Sequence, residues 1–296
     1  MNIKKIYGTW LQGLTTIFGI DIAKKFDAKF RMHRSINLKN PKTLADKVSY
    51  IELHKQTSLA STCTDKYAVR DYVAGKGFGS ALVPVVGGPW TNPEDIDFST
   101  LPQSFVLKAT HGCKMNYIVS SKDQLNEEKC HQEMHRWMET TYGTYSLEPH
   151  YTVIPHRIYA EAYLGDMSEL IDYKFHCLNG EPEFVLVISD RKADGDKAMQ
   201  VTIDCYDMEW NHLPVVCGAG SEVPGQGIIL KPKHFKEMIE MSKKLSEDFD
   251  FVRVDLYERD DQILFGELTF SPATCVFPYL SEQFLIDMGK KLTIEV

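Results

Sequence analysis

Val252-Arg253-Val254-Asp255, a polar stretch from Glu258 to Gln262, and then Phe265-Gly266-Glu267-Leu268-Thr269 form the stretch that decides how this chain is read. Apolar and polar residues alternate on both sides of a short break, the pattern of two strands, 251–257 and 263–268, joined by a turn. Side chains two apart share one face of a strand. Arg253 and Asp255 therefore point one way, and Glu267 and Thr269 point one way on the partner. If the two faces coincide, two carboxylates and a hydroxyl converge. Hard oxygen ligands of that kind suit one or two Mg²⁺ ions bridging the phosphates of a nucleotide. The plainer reading is a pair of surface carboxylates matched with nearby Lys or Arg.

Outward from this pair, Phe235, Met238, Ile239, Met241 and Leu245 recur at helical spacing. Four strand-like runs precede them, at 158–164, 172–178, 184–189 and 199–206, with Asn179-Gly180 as a hairpin turn between the second and third. Further upstream, a strand over 104–107 ends in Lys108 and a loop, Ala109-Thr110-His111-Gly112-Cys113-Lys114-Met115-Asn116, with 117–119 as its hairpin partner. A lysine leaving a buried strand beside a glycine-containing loop can set an ammonium and backbone N–H groups around a polyphosphate; a solvated strand-end lysine fits the pattern equally well. Residues 124–140 read as an amphipathic helix, and 81–86 as a short strand that Pro84 confines to a sheet edge. Residues 1–75 read as mostly helical. Thr43 can cap a helix carrying Leu44, Val48 and Ile51, and another starts at Asp65 with Tyr67, Ala68 and Tyr72 inward. The whole is α+β, in three regions: a helical segment 1–75, a small lobe 76–160, and a C-terminal lobe 161–296 with the carboxylate pair. Regular βαβ alternation is absent.

Composition narrows the classes. The 296 residues carry 33 Lys+Arg against 41 Asp+Glu, a net charge of −8, with 43% hydrophobic residues. That is a globular profile, and it opposes broad nucleic-acid binding, which needs clustered positive charge. Seven cysteines without a CxxC pair resemble neither a disulfide framework nor a zinc ribbon and point to reducing cytoplasm. The weakly charged run 7–20 is too short and too polar to span a bilayer, and no cleavage site for a leader follows it. Trp10, Leu11, Leu14, Ile17 and Phe18 can share one helical face, flanked by Lys4, Lys5, Lys24 and Lys25; that face suits docking on its own domain first, and a membrane or a partner second. Walker A and GxGxxG loops are absent, His131 and His135 lack a third zinc ligand, and Ser271 lies in no nucleophile elbow.

Taken in order, Lys108 on its hairpin, Arg157-Ile158-Tyr159-Ala160-Glu161-Ala162-Tyr163-Leu164, Asp172-Tyr173-Lys174, Asp190-Arg191, Arg253-x-Asp255 and Glu267-x-Thr269 resemble the nucleotide and metal elements of the ATP-grasp superfamily. The nearer resemblance is to its TupA-like branch, associated with teichuronopeptide and surface-polysaccharide synthesis. It rests on Asn40-Pro41-Lys42-Thr43, Asp65-Lys66-Tyr67-Ala68-Val69-Arg70, Lys108-x-x-His111-Gly112, Asp172-Tyr173-Lys174-Phe175 and Phe265-Gly266-Glu267-Leu268-Thr269, and spans 36–275.

The resemblance implies an ATP-grasp fold, two α+β lobes gripping ATP, here with a helical N-terminal segment, 76–160 as the lid lobe and 161–296 as the C-terminal lobe. It implies that Lys108 meets the α/β-phosphates, with Lys66 a lesser nucleotide contact, and that the 110–116 loop, His111 and Gly112 included, covers them. Glu161, Ala162, Tyr163 and Leu164 match the hinge that reads adenine, and Glu169 matches a ribose contact. Asp255 and Glu267 match the Mg²⁺ carboxylates. Thr269 stands where many relatives have an Asn. Arg253 matches an oxyanion-stabilising arginine, while Lys174 and Arg191 match groups that neutralise the γ-phosphoryl or hold an acidic substrate. Three features depart from the pattern: no Rossmann-like lobe at the start, Cys113-Lys114 in place of small loop residues, and Pro272-Ala273 in place of Pro-Gly.

The activity so implied is ATP-dependent carboxylate–amine ligation through an acyl phosphate, using ATP and Mg²⁺. The setting is amidation of a uronic-acid or amino-acid unit of a bacterial capsule or surface polysaccharide, in the cytoplasm, with peripheral contact to a membrane-bound synthesis complex and no nucleic-acid partner. Loops 190–197 and 211–227 are where specificity would reside. Two other readings stay open. A glycosyltransferase would draw on Asp95-Ile96-Asp97, Asp194-Gly195-Asp196 or Asp248-Phe249-Asp250, and a sugar kinase would use the same ATP site with a hydroxyl acceptor and no amine; a non-catalytic pathway partner would keep the fold alone.

Overall fold

Gly19, at φ +85°, separates two helices, α1 (Ile3–Phe18) and α2 (Ile20–Arg31), a left-handed turn that glycine adopts without steric cost. Next, α3 (Leu44–His54) opens on a capping box: Thr43 Oγ1 accepts from Asp46 N at 3.1 Å, and the Asp46 carboxylate accepts from Thr43 N at 3.0 Å. The computed structural model describes residues 3–165, 170–192 and 200–296, with the backbone alone at 3–6, 145, 191 and 192.

The expected helix from Asp65 is instead a junction. α4 (Ser58–Thr64) ends at Asp65, whose Oδ1 accepts from Tyr67 N at 2.8 Å and Ala68 N at 3.0 Å, and α5 (Val69–Gly75) follows. An aspartate that binds the N–H groups two and three residues ahead makes a turn and starts the next helix later. The inward face of α5 is accordingly Val69 and Val73, with Tyr67, Ala68 and Tyr72 only half-buried. Likewise β1 (Val85–Trp90) begins after Pro84, later than the expected 81–86, because Pro84 has no N–H for a ladder; its carbonyl accepts from Ala162 N at 2.9 Å.

Then come β2 (Phe105–Ala109), β3 (Asn116–Val119), α6 (Glu127–Met138), α7 (Tyr142–Ser146) and β4 (Ile158–Ala162). Their strands form an antiparallel sheet in the order β1-β4-β2-β3. One face, Phe105, Leu107, Ala109, Ile158 and Ala160, packs on Cys130, Met134 and Trp137 of α6. The other face carries Lys108, Tyr159 and Glu161.

A second sheet contains β5 (Asp172–Leu178), β6 (Glu181–Lys192), β7 (Gln200–Tyr206), β8 (Glu222–Pro224), β9 (Phe251–Arg259) and β10 (Gln262–Thr269), with α8 (Phe235–Ser246) before β9 and α9 (Glu282–Lys291) at the end. Its order is β10-β9-β5-β6-β7-β8, antiparallel except for β7–β8. Asn179 and Gly180 both have positive φ, as do Asp260 and Asp261, so both hairpins close on two-residue turns of the twist that favours hairpins. One face packs on α8, where Phe175 meets Phe235 with ring centroids 5.9 Å apart. The other buries Leu178, Phe184, Leu186, Ile203 and Phe251 against Leu44, Val48 and Ile51 of α3 and Leu285 and Met288 of α9.

The chain divides into two units, one made of Met1–Gln56 with Ser168–Val296 and the other of Thr57–Met167. Each sheet has its own core. No described helix is long and apolar enough to cross a membrane.

Candidate active site

In the larger unit, register decides the chemistry. Phe265 pairs with Leu256 across the ladder, yet Glu267 pairs with Asp255, so Gly266 is the extra residue of a β-bulge. Without it, Glu267 would face Val254 and turn into the core; with it, Glu267 and Thr269 come directly opposite Asp255 and Arg253. A Cβ at position 266 would lie 3.0 Å from the Asp255 carbonyl oxygen and 2.8 Å from Tyr257 Cε2, so the bulge requires glycine. On the far side of β9, Lys174 pairs with Asp255 and His176 with Arg253. Two rows thus cross three strands on one face: Lys174, Asp255, Glu267, and beside it His176, Arg253, Thr269.

Asp255 is buried and held by two cations. Its Oδ1 accepts from Arg253 Nε at 2.6 Å, and its Oδ2 accepts from Arg253 Nη2 at 2.7 Å and Lys174 Nζ at 2.5 Å. Burial alone would raise its pKa, but Arg253 and Lys174 hold it below the ordinary carboxylate value. Arg253 also donates to Glu267 Oε1 at 3.2 Å and Thr269 Oγ1 at 3.0 Å, and Thr269 donates to Glu267 at 2.8 Å. Lys174 lies 3.4 Å from Asp172. His176 is buried and stacked on Phe184 at 4.3 Å; burial, and then Arg253, drive its pKa down to about 3, so it is neutral. Three carboxylates therefore face two cations, and the surplus is negative.

Glu267 is half-exposed, and its hydrogen bonds and ion pair to Arg253 and Thr269 are all made through Oε1. These oxygens fit a Mg²⁺ ion, which commonly takes one or two carboxylates and fills its octahedron with phosphate oxygens and water. Among the described residues no group of three His, Cys, Asp or Glu side chains is arranged to hold a metal.

In the smaller unit the balance is reversed. Lys108 pairs with Tyr159 across β2–β4, and Val106 with Glu161. Lys108 reaches diagonally to form an ion pair with the buried Glu161 carboxylate. Arg70 Nη1 lies 3.3 Å from the same group, and Tyr159 OH donates to it at 3.2 Å. Burial and then Glu161 raise the Tyr159 pKa well above its ordinary value, so it is a donor. Two cations face one carboxylate, and the surplus is positive. Ala162, Tyr163 and Leu164 follow Glu161, all half-buried.

The loop after Lys108 is tied down at both ends. Lys66 Nζ donates to the Gly112 carbonyl, and Lys66 N donates to Thr110 O at 3.3 Å. Arg157 holds Asp65, just before Lys66, at 2.7 Å. His111 is fully buried: its Nε2 is 2.9 Å from Trp137 O, and its ring stacks on His156 at 3.7 Å. Burial drives its pKa down to about 4, so a neutral imidazole braces the loop from inside. Sequence reasoning assigned no role to Arg70, Tyr159, Asp172 or His176. Three sit in quoted motifs, and His176 follows Lys174 by two, the spacing that shares a strand face. Glu169 and Asp194-Gly195-Asp196 lie outside the described residues, as does the side chain of Arg191, whose backbone is in β6. Asp97 caps a turn, its Oδ1 accepting from Ser99 N at 2.9 Å.

A family model described as TupA-like ATPgrasp matches residues 46–290. No curated protein matches the chain at a significant level. Among solved structures, D-alanine–D-alanine ligase from Bacillus anthracis complexed with ATP is similar at 15% identity, covering 79% of this chain and 67% of that one, with a TM-score of 0.46. The D-alanine–D-alanine ligase from Helicobacter pylori is similar at 13% identity, over 84% and 69% of the two chains, with a TM-score of 0.44. D-cycloserine synthetase DcsG is similar at 13% identity, over 79% and 72%, with a TM-score of 0.45.

Proposed function

The chain belongs to the TupA-like ATP-grasp family, and from that premise we propose that it is an ATP-dependent carboxylate–amine ligase. Its substrates would be a uronic-acid or amino-acid carboxylate of a capsule or cell-surface polysaccharide precursor and an amine, joined in the bacterial cytoplasm. The setting is supported only by resemblance to the teichuronopeptide branch. The observation that carries the reaction class is the row Lys174, Asp255, Glu267 with Arg253 beside it.

A carboxylate is a poor electrophile until activated, and Mg·ATP supplies the phosphoryl group that makes it an acyl phosphate open to an amine. The chain's own part is electrostatic. Asp255, kept ionised by its two cations, and Glu267, half-exposed, would hold Mg²⁺ together with Thr269. Lys174 and Arg253 offset the negative charge of an anionic acceptor and steady the oxyanion that forms on amine attack. Lys108 and Arg70 share a single carboxylate, which leaves positive charge for a polyphosphate. Lys66, bound to the Gly112 carbonyl, fixes the loop that follows Lys108.

The test is ADP release from Mg·ATP with paired acids and amines, free or nucleotide-linked. ADP and phosphate appear only when both partners are present. Glu267→Gln abolishes ADP release and leaves the thermal unfolding temperature in place, because Glu267 is half-exposed and its loss uncovers no buried charge. Undiminished turnover in that variant removes the metal assignment.

A further inference from the structure

The α1–α2 hairpin has a surface unlike the rest of the chain. Trp10, Ile17, Phe18, Ile22 and Phe30 are 42%, 71%, 57%, 48% and 61% exposed. On α2, Ile22, Phe26 and Phe30 recur every fourth residue, one continuous helical stripe. Trp10 of α1 meets Phe26 edge-on at 4.7 Å, and Phe26 stacks on Phe30 at 3.9 Å, so the apolar surfaces of the two helices join into one plane. Leu11, Ala23 and Ala28 are buried, and Ala28 joins the core that α3 and α9 share. The aromatic plane remains exposed.

Charge selects the occupant. Through residue 34 the chain has seven Lys and Arg against two Asp, and the remainder has 26 against 39. Both aspartates are already engaged. Asp27 is buried, accepting from Tyr7 OH at 3.0 Å and Arg31 Nη2 at 2.7 Å, and Asp21 lies 3.1 Å from His54 Nε2. Arg31 is paired with Asp27, Arg34 with Glu282 at 2.5 Å, and Lys24 is buried, so among the described side chains Lys25 and Lys29 carry the basic charge that no acid meets, on an otherwise acidic protein. A second copy would bring like charge against like charge. An anionic lipid surface attracts this element and repels the remainder of the chain, which orients the protein on it.

We propose that the α1–α2 hairpin is an interfacial anchor that lies flat on an anionic bilayer. Trp10, Ile17, Phe18, Ile22 and Phe30 enter the boundary between headgroups and acyl chains, while Lys25 and Lys29 meet lipid phosphates. With no described helix able to cross a membrane, attachment is peripheral and reversible. It holds whether or not the ligase reading does.

The experiment is flotation of the purified full chain with vesicles of phosphatidylcholine alone and of phosphatidylcholine with phosphatidylglycerol. The protein floats with the anionic vesicles, and added salt weakens the association. Ile17→Ser with Phe30→Ser lowers partitioning about a hundredfold without moving the thermal unfolding temperature, since both side chains are exposed. Lys25→Glu with Lys29→Glu removes the preference for phosphatidylglycerol while the apolar plane stays intact. Failure of the native chain to float with anionic vesicles overturns the proposal, as does equal flotation of the serine variant. A native dimer that the serine variant makes monomeric, without lipid binding, also overturns it and makes the plane a protein interface.

Discussion

The two charged clusters sit on the same kind of surface, one face of an antiparallel sheet, and have opposite balances. Around Asp255 three carboxylates meet two cations, and around Glu161 one carboxylate meets two. The first has room for a cation, the second for an anion. Burial differs too: Asp255 and Arg253 are enclosed, while Lys108 and Glu267 keep access to water. A buried ion pair gives a fixed template, and a half-exposed partner beside it gives the point of exchange. Ligand-binding capacity therefore depends on which member of a cluster is left incomplete, and a count of charges alone does not reveal it.

The contrast is tested most strongly at its buried member. Asp255→Ala leaves Arg253 and Lys174 with only the longer carboxylate contacts to Glu267 at 3.2 Å and Asp172 at 3.4 Å, and is expected to cost about 3–5 kcal/mol of stability, measured by denaturant unfolding. Glu161→Ala also strands two cations, but Lys108 and Arg70 can turn toward water, so the loss should be nearer 1–3 kcal/mol. Equal losses would break the distinction between a closed and an open cluster. Lys108→Met leaves Arg70 on Glu161, so the fold should persist while turnover falls about a hundredfold; an unaffected rate would show that the positive surplus serves no substrate.

Acid sharpens the comparison, because each unit buries an imidazole whose pKa is depressed, His176 in the larger and His111 in the smaller. The His176 and His111 values of about 3 and about 4 lie below the ordinary value of about 6.5. In that interval the unfolded chain binds more protons, so stability is full above about pH 6.5 and declines as pH falls toward 4. The depressed Asp255 carboxyl adds its loss only below the ordinary carboxylate value of about 3.9. His176→Phe, stacked on Phe184 in place of the ring, should flatten the fall in unfolding temperature between pH 6.5 and 4 in the larger unit. An unchanged slope would assign the acid response elsewhere. The smallest effect is expected at Ala273, whose φ of +47° places a Cβ in left-handed backbone. Ala273→Gly, which removes that Cβ, should stabilise by about 1 kcal/mol, read as a raised unfolding temperature.

Much of this was legible in the chain. The hairpin at Asn179-Gly180, the strands around Arg253 and Glu267 and the helix at Phe235–Ser246 follow from local periodicity and turn chemistry, which depend on neighbours a few residues away. The family was legible from motif order. Less so were Asp65, where a side chain took the N–H groups expected to begin a helix, and Pro84, which delayed a strand to 85. The exposure of Trp10, Ile17 and Phe18 was not readable either, because an amphipathic pattern names a face without naming what covers it.

The sequence by itself determined that Arg253 lies with Asp255 and Glu267 with Thr269, since the period of a strand is a property of one chain segment. That the two pairs meet was decided only in three dimensions. One extra residue at Gly266 shifts the register and reverses which side chains face the ladder partner, and register is set by how both sheet faces pack. The same holds for Lys108: its place at a strand end is written in the chain, but its partnership with Glu161 and Arg70 depends on β4 and α5 arriving beside β2, contacts distant in sequence that only the packed core brings together.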